Sequence, residues 1–359
     1  MNVLEEELIL PNGYILSNRI AKSAMSENLY NKYHEPTALL INAYKKWAQL
    51  NHPERQAMKQ INGELKAPSP VPLKSGGRKD ATKKVPEALT ESEIIEIIEA
   101  FAHTSIILKE AGFSGIQIHG AHGYLVSQFL SPYTNIRNDK WGESLENRSR
   151  FVVEIYRKIR ERVGNDFPIG IKLNSADFQK GGFSEEESME VVKILSKEGI
   201  DLIEISGGTY RALAMMGKRS TNQREAYFME YIEKARKVTK TPLMLTGVFR
   251  TASVMKDAIA SNQLDIVGIA HPFAIYPNIA NELFKESRQD FATTIKKTGL
   301  KGIDAIMNII WYESQIRLIG KRKAPNPNLS SWSVLFMYSW LILEQKISKK
   351  KRNLYTRFL

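Results

Sequence analysis

Short apolar runs alternate with long amphipathic stretches along most of this chain. Leu8-Ile9-Leu10 and Tyr14-Ile15-Leu16 flank Pro11-Asn12-Gly13, and two apolar runs around an Asn-Gly turn predict an N-terminal β-hairpin. From Glu87 onward the apolar spacing switches repeatedly between the helical and the strand period, the signature of a parallel α/β sheet. Thr90 with Glu93 and Ser184 with Glu187 form capping boxes, which predict helices reaching Gly112 and Gly199. Further helices are expected from Glu146 to Val163, Ala226 to Val238 and Thr251 to Ser261. The expected strands run from Ile20 to Ser26, from Gln49 to Asn51 as a stub, from Gly115 to Gly120, from Ile169 to Ser175, from Leu202 to Ser206, from Leu243 to Gly247 and from Asp265 to Ala270.

An open doubly wound sheet and a closed (β/α)8 barrel share this alternation, and strand polarity separates them. Ile116 and Ile118 oppose Gln117 and His119, while Ile169, Ile171 and Leu173 oppose Gly170, Lys172 and Asn174. Strands covered by helices on both faces read as near-continuous apolar runs, whereas polar groups turned toward a barrel axis can serve a site at its C-terminal mouth. The reading is a TIM-type barrel over residues 1–330, followed by an apolar and basic tail over 331–359. The stretch between Asn51 and Thr90, with Pro53, Pro68, Pro70, Pro72 and Gly76-Gly77, is long enough to be either a lid over the mouth or a solvated linker.

Composition narrows the function classes. A chain of 359 residues with 43% hydrophobic content buries a large core, which excludes a disordered chain and a small interaction module. The absence of cysteine removes thiolate metal sites, iron–sulfur clusters and a cysteine nucleophile. With no readable signal peptide, a cytoplasmic location is expected. The net charge of +12 is concentrated at one end: from Arg317 onward ten Lys or Arg face only Glu344, a balance of +9 that leaves about +3 for the body. That distribution argues against a nucleic-acid groove. The apolar run from Trp332 to Leu343 is too short to cross a bilayer, but with Lys346, Lys349, Lys350, Lys351 and Arg352 behind it the tail can either pack on the body or rest on an anionic membrane surface.

The densest chemistry lies at His119-Gly120-Ala121-His122-Gly123-Tyr124, directly after a strand, where two imidazoles and a phenol can hold a carbonyl oxygen and deliver a proton. The alternative for a single histidine is a satisfied core residue. A metal-hydrolase reading of the pair needs further ligands, and the strand-end residues Ser175, Ser206 and Thr246 do not supply them. No metal is expected.

This run, with Ser131-Pro132, Asn135, Arg137, Trp141-Gly142, Ser144 and Glu146-Asn147-Arg148, resembles the old yellow enzyme family of FMN-dependent NAD(P)H:flavin oxidoreductases. The resemblance extends from Leu8 to about Leu329. It implies FMN as cofactor, NADH or NADPH as hydride donor, and a small substrate with an activated alkene or carbonyl. It places Ser23, Ala24, Met25 and Ser26 beside the flavin ring, Gln49 on its pyrimidine edge and Lys172 beside N1 and O2, where a fixed cation favours the reduced form. The alternative for Lys172 is a structural ion pair with Glu204. Gly247, Val248, Ala270 and His271 would hold the phosphate. His119 and His122 would bind the substrate carbonyl, and Tyr124 would protonate the α-carbon.

Several positions depart from the family pattern. Val248 replaces a small residue and His271 an arginine, with Arg250 as a substitute cation, and Glu54 and Glu143 stand at glycine-like places. A helix expected from Tyr44 to Ala48 runs straight into Gln49, so one βα unit is expected to be missing between Ala48 and Gln49. The alternative function is therefore an impaired or inactive relative.

Overall fold

The hairpin comprises β1 (Leu8–Ile9) and β2 (Ile15–Leu16), antiparallel with Leu8 opposite Leu16. Leu8 and Leu16 pack on Leu202, Met244 and Ile266, the N-terminal ends of three strands, while Ile9 and Ile15 face solvent. The hairpin therefore seals the end of the sheet opposite the site. The computed structural model describes residues 2–25, 47–52, 65–73, 85–206, 221–247, 249–293, 295 and 297–340. They fall into two units, Met1–Ala21 with Lys46–Ile269, and Lys22–Lys45 with Ala270–Leu359.

The first unit is built on a seven-stranded sheet. Its strands are β3 (Ile20–Lys22), β4 (Trp47–Leu50), β7 (Gly115–Gly120), β8 (Ile169–Asn174), β9 (Leu202–Ser206), β10 (Leu243–Thr246) and β11 (Ile266–Ile269), in the order β3-β11-β10-β9-β8-β7-β4. The pairs from β11 through to β4 are parallel. A doubly wound sheet reverses its order at a switch point. Here the order runs steadily and sets the first strand beside the last, which is the cyclic order of a barrel. β7, β8 and β9 are buried at every position.

Both capping boxes are present. Thr90 opens the helix Glu91–Glu110 and Ser184 opens Glu185–Glu198. The first buries Ile94, Ile98, Phe101 and Ala102 along one stripe and packs against Leu145–Val163. A fully buried Ile or Phe contributes about 1.5–3 kcal/mol, so the stripe outweighs the weak intrinsic stability of the helix.

Three expectations need correction. The strand from Ile20 ends at Lys22 rather than Ser26. Trp47 and Ala48 are not helical but belong to β4, in register with Gly115 and Ile116. The junction expected between Ala48 and Gln49 therefore falls inside one continuous strand. Ladder bonds to β7, distant in sequence, override a local apolar pattern that continues a helix.

The linker reading also fails where residues 65–73 and 85–90 are described. There β5 (Lys66–Ala67) pairs with β6 (Glu87–Ala88), and Arg137 donates to the carbonyls of Pro68 at 2.9 Å and Leu89 at 2.6 Å. Arg137 also pairs with Asp139. Asn135 bridges the carbonyls of Phe129 and Trp141 at 2.8 and 2.7 Å, and Arg148 binds Glu187 and the carbonyl of Leu130. Much of the signature after Tyr124 is thus structural bracing. Gly142 is required sterically, because a Cβ there would lie 2.3 Å from the carbonyl oxygen of Arg137.

Glu143 follows with φ +63° and its side chain exposed. A left-handed L-residue costs about 1–2 kcal/mol, partly offset because glycine loses more entropy on folding. Glu143→Gly is expected to stabilise the chain by about 0.5–1 kcal/mol and raise the thermal midpoint by about 2 °C. A lowered midpoint in a calorimetric scan would show that the glutamate side chain holds the loop.

In the second unit, Met25 packs against a core that includes Ala274, Ile275, Met307, Trp311 and Tyr312. The helices Lys301–Gly320 and 331–340 contribute to this core, the latter through Val334. Among the described residues, no helix is long and apolar enough to cross a membrane.

Candidate active site

A connected set of polar side chains lies on neighbouring strands of the first unit. Lys172 Nζ sits 2.9 Å from Glu204 Oε1, with both side chains at most 3% exposed. Glu204 Oε2 accepts from Gln117 Nε2 at 2.7 Å, and Gln117 Oε1 accepts from Gln49 Nε2 at 2.6 Å. Register explains the grouping: Gln49 is opposite Gln117, and His119, Lys172 and Glu204 lie level across β7, β8 and β9. The polar face expected from alternation is therefore real, and the ion pair offered as an alternative for Lys172 is present.

The direction of this relay follows from the carboxylate. Glu204 accepts, so Gln117 must present its amide nitrogen to it and its oxygen to Gln49. Gln49 commits one N–H to that oxygen and has its second N–H and its own oxygen left to offer. Gln117 and the orienting role of Glu204 were not singled out from sequence. Their only signal there was Gln117 sharing the polar face with His119.

His119 ends the polar face, and the chain then turns sharply. His122 and Gly123 have φ of +60° and +75°, and the His122 amide donates to Asn174 Oδ1 at 3.1 Å. This turn brings the rings together, with centroids 5.2 Å apart for His119 and His122 and 4.9 Å for His119 and Tyr124. Tyr124 sits at the N-terminus of the helix Leu125–Leu130, whose first amide donates to the carbonyl of His52 at 3.1 Å. His122 Nε2 lies 2.9 Å from Ser206 Oγ. His119 Nδ1 is buried and has no hydrogen-bond partner among the described residues.

Burial first, then the neighbouring His122 and Lys172 charges, hold His119 well below its ordinary value. Burial and Lys172 push His122 down to about 3. Both rings are neutral near pH 7. An unfolded imidazole titrates near 6.5, so below that pH the unfolded chain binds more protons. This contribution to stability is complete above pH 6.5 and is lost as pH falls toward about 3. Asp177, raised by burial, acts in the opposite sense in the carboxylate range. His122→Asn, which tolerates positive φ, should flatten the acid limb of stability between pH 6.5 and 4 in urea titrations. An unchanged slope would mean that His122 is already protonated in the folded chain.

The remaining expected residues are distributed differently. Gly247 follows β10 with φ +98°, a conformation that suits glycine. Arg250 donates to the carbonyl of Phe249 at 2.5 Å. Ser26, Glu54 and Val248 lie outside the described residues. Ser23, Ala24, Met25, Ala270 and His271 belong to the second unit. Ser23 is buried there, and His271 stacks on Tyr312 at 4.0 Å and 5°.

A cyclically ordered parallel sheet with convergent polar groups at strand C-terminal ends defines a barrel with a small-molecule site at its mouth. The sequence model of the NADH:flavin oxidoreductase / NADH oxidase family matches residues 16–290, and the chain belongs to that family. It is 38% identical over 242 residues to an NADH-dependent flavin oxidoreductase of Aspergillus parasiticus, covering 66% of this chain and 54% of the relative. It is 36% identical over 248 residues to an NADH oxidase of Thermoanaerobacter brockii, covering 68% and 37%. The chain thus spans about half or less of the length of these relatives. The old yellow enzyme homologue of Zymomonas mobilis superposes with a TM-score of 0.64 at 19% identity, over 80% of this chain and 93% of that one, a likeness of fold.

The donor set fits FMN. The pyrimidine edge of a flavin asks for an amide and a cation on one side, and Gln49 with a carbonyl oxygen to offer and a dry Lys172 supply both.

Proposed function

We propose that the chain is an FMN-dependent oxidoreductase that passes hydride from NADH or NADPH to an activated alkene or related acceptor. The observation that carries this reading is the pair of neutral, buried imidazoles with a phenol about 5 Å from one of them, at the end of a strand whose neighbour holds a buried lysine. FMN, when bound, supplies the hydride relay between nicotinamide and acceptor. Gln49 accepts from its pyrimidine edge and Lys172 stabilises negative charge there, with the lysine kept in place by Glu204. Within the first unit, Gly247, at φ +98° after β10, would give the phosphate its close backbone approach.

On the substrate side, His119 Nδ1 has no partner among the described residues, so in the tautomer that carries its proton there His119 is the readier donor. His122 is braced by Ser206 and would have to share or release that contact to reach a carbonyl oxygen. Tyr124 donates the proton that completes reduction.

We further propose that the barrel lacks one βα unit, upstream of Trp47. Lys22 and Trp47 are separated by 24 residues, 23 to 46. One parallel crossover needs a dozen or more residues, while a complete βαβ unit needs about 30. Twenty-four residues are fewer than two crossovers and an intervening strand require. The same observation supports the impaired relative as second reading.

One experiment separates the two readings. The purified chain is incubated with FMN, desalted, and its absorption spectrum recorded before and after denaturation. NAD(P)H consumption is then followed with and without an α,β-unsaturated ketone. Stoichiometric flavin release and enone-dependent turnover support the enzyme. Flavin retention without turnover supports the impaired relative, and failure to retain FMN overturns the cofactor assignment.

A further inference from the structure

Gln117 lies on β7, yet its amide nitrogen reaches Glu204 on β9, past the strand between them. Gly170 makes room for that reach. It stands level with Gln117 on β8, and a Cβ there would crowd the carbonyl oxygen of Leu202 at 3.3 Å and touch Gln117 Cγ at 3.9 Å. Gln117 is 9% exposed, and both ends of its amide are engaged, the nitrogen by the carboxylate and the oxygen by Gln49 Nε2. If Gln49 turned its amide over, two carbonyl oxygens would face each other across that 2.6 Å contact. The flipped orientation is therefore closed to it.

We propose that Gln117 is a positioning residue for the flavin, locking the Gln49 amide in one orientation and tying it to the Lys172–Glu204 pair. The inference rests on the FMN reading above. The pyrimidine edge of a flavin presents one imide N–H between two carbonyl oxygens. The oxygen of Gln49 and its second N–H, side by side, match that imide N–H and one of the carbonyls. Gln117 acts only through Gln49. Amides in series polarise one another, so a chain that ends on the Glu204 carboxylate makes the Gln49 oxygen a better acceptor for the imide N–H.

Fluorescence titration with FMN and with 3-methyl-FMN, which lacks the imide N–H, tests this in the parent chain, Gln117→Met, Gln49→Met and the double variant. The parent is expected to prefer FMN about tenfold, and in Gln117→Met that preference should fall to about twofold. Adding Gln117→Met to Gln49→Met should change FMN affinity by less than about twofold, because a residue that acts through Gln49 has nothing left to act on. Both flavins meet the same folded fraction, so the ratio holds even where a variant is less stable. Gln117→Asn, one methylene too short to reach both partners, gives the same readout with a polar side chain. An unchanged preference in the Gln117 variants, or an equal loss of FMN affinity with and without Gln49, would make Gln117 a packing residue and overturn the inference. A parent that binds FMN without the preference would place Gln49 away from the imide and overturn it too. A parent that binds neither flavin would overturn the FMN reading itself, and this inference with it.

Discussion

Glu204→Ala is expected to destabilise the folded chain by about 3–5 kcal/mol, the usual consequence of leaving one member of a buried ion pair without its partner. Lys172 is 3% exposed, so water cannot replace the carboxylate without opening the sheet. Gln117 loses its acceptor at the same time, adding an unsatisfied buried donor. Equilibrium urea unfolding of the full chain measures the loss. The double variant Lys172→Met with Glu204→Leu should recover most of it, because an apolar pair of similar volume carries no desolvation penalty. A single-variant loss below about 1 kcal/mol would mean that solvent reaches Lys172. Loss of FMN affinity in the stable double variant would then report the cation's own part in holding the cofactor.

Tyr124→Phe is expected to slow reduction of an activated alkene by about 10²–10⁴-fold, the usual contribution of a positioned general acid. Reduction of the loaded protein by NAD(P)H should be nearly unchanged, since in the proposed role the phenol acts only where a proton is delivered to the acceptor. Stopped-flow measurement of the two half-reactions separates these effects. The ring packs near His119, so phenylalanine preserves that contact and removes only the hydroxyl. Equal losses in both half-reactions would assign Tyr124 to holding the site together rather than to proton delivery.

Local chemistry was legible wherever one short segment contains the whole cause. The capping boxes at Thr90/Glu93 and Ser184/Glu187 need only four consecutive residues each. The Asn-Gly hairpin needs one turn and two flanking runs. His119, His122 and Tyr124 stood out because they share the exit of a single strand. The barrel was also legible, because alternation along β7 and β8 puts apolar groups on one side and polar groups on the other.

What the sequence could not express were decisions made between distant segments. Trp47-Ala48 reads as the end of a helix and becomes a strand because β7, 68 residues further on, offers it a ladder. The polarity of Gln49 depends on Glu204 through Gln117, across contacts of 68 and 87 residues, and no local pattern encodes which end of an amide faces a neighbour. The left-handed turn at His122 is accompanied by a hydrogen bond from its amide to Asn174, at the end of another strand. Residue type and spacing thus determined most of the elements and the candidate site cluster, since both follow from short-range sterics and periodicity. Register and burial decided which groups are neutral, which are paired and which way they point, because hydrogen-bond partners and dielectric arise only when strands remote in sequence are brought side by side.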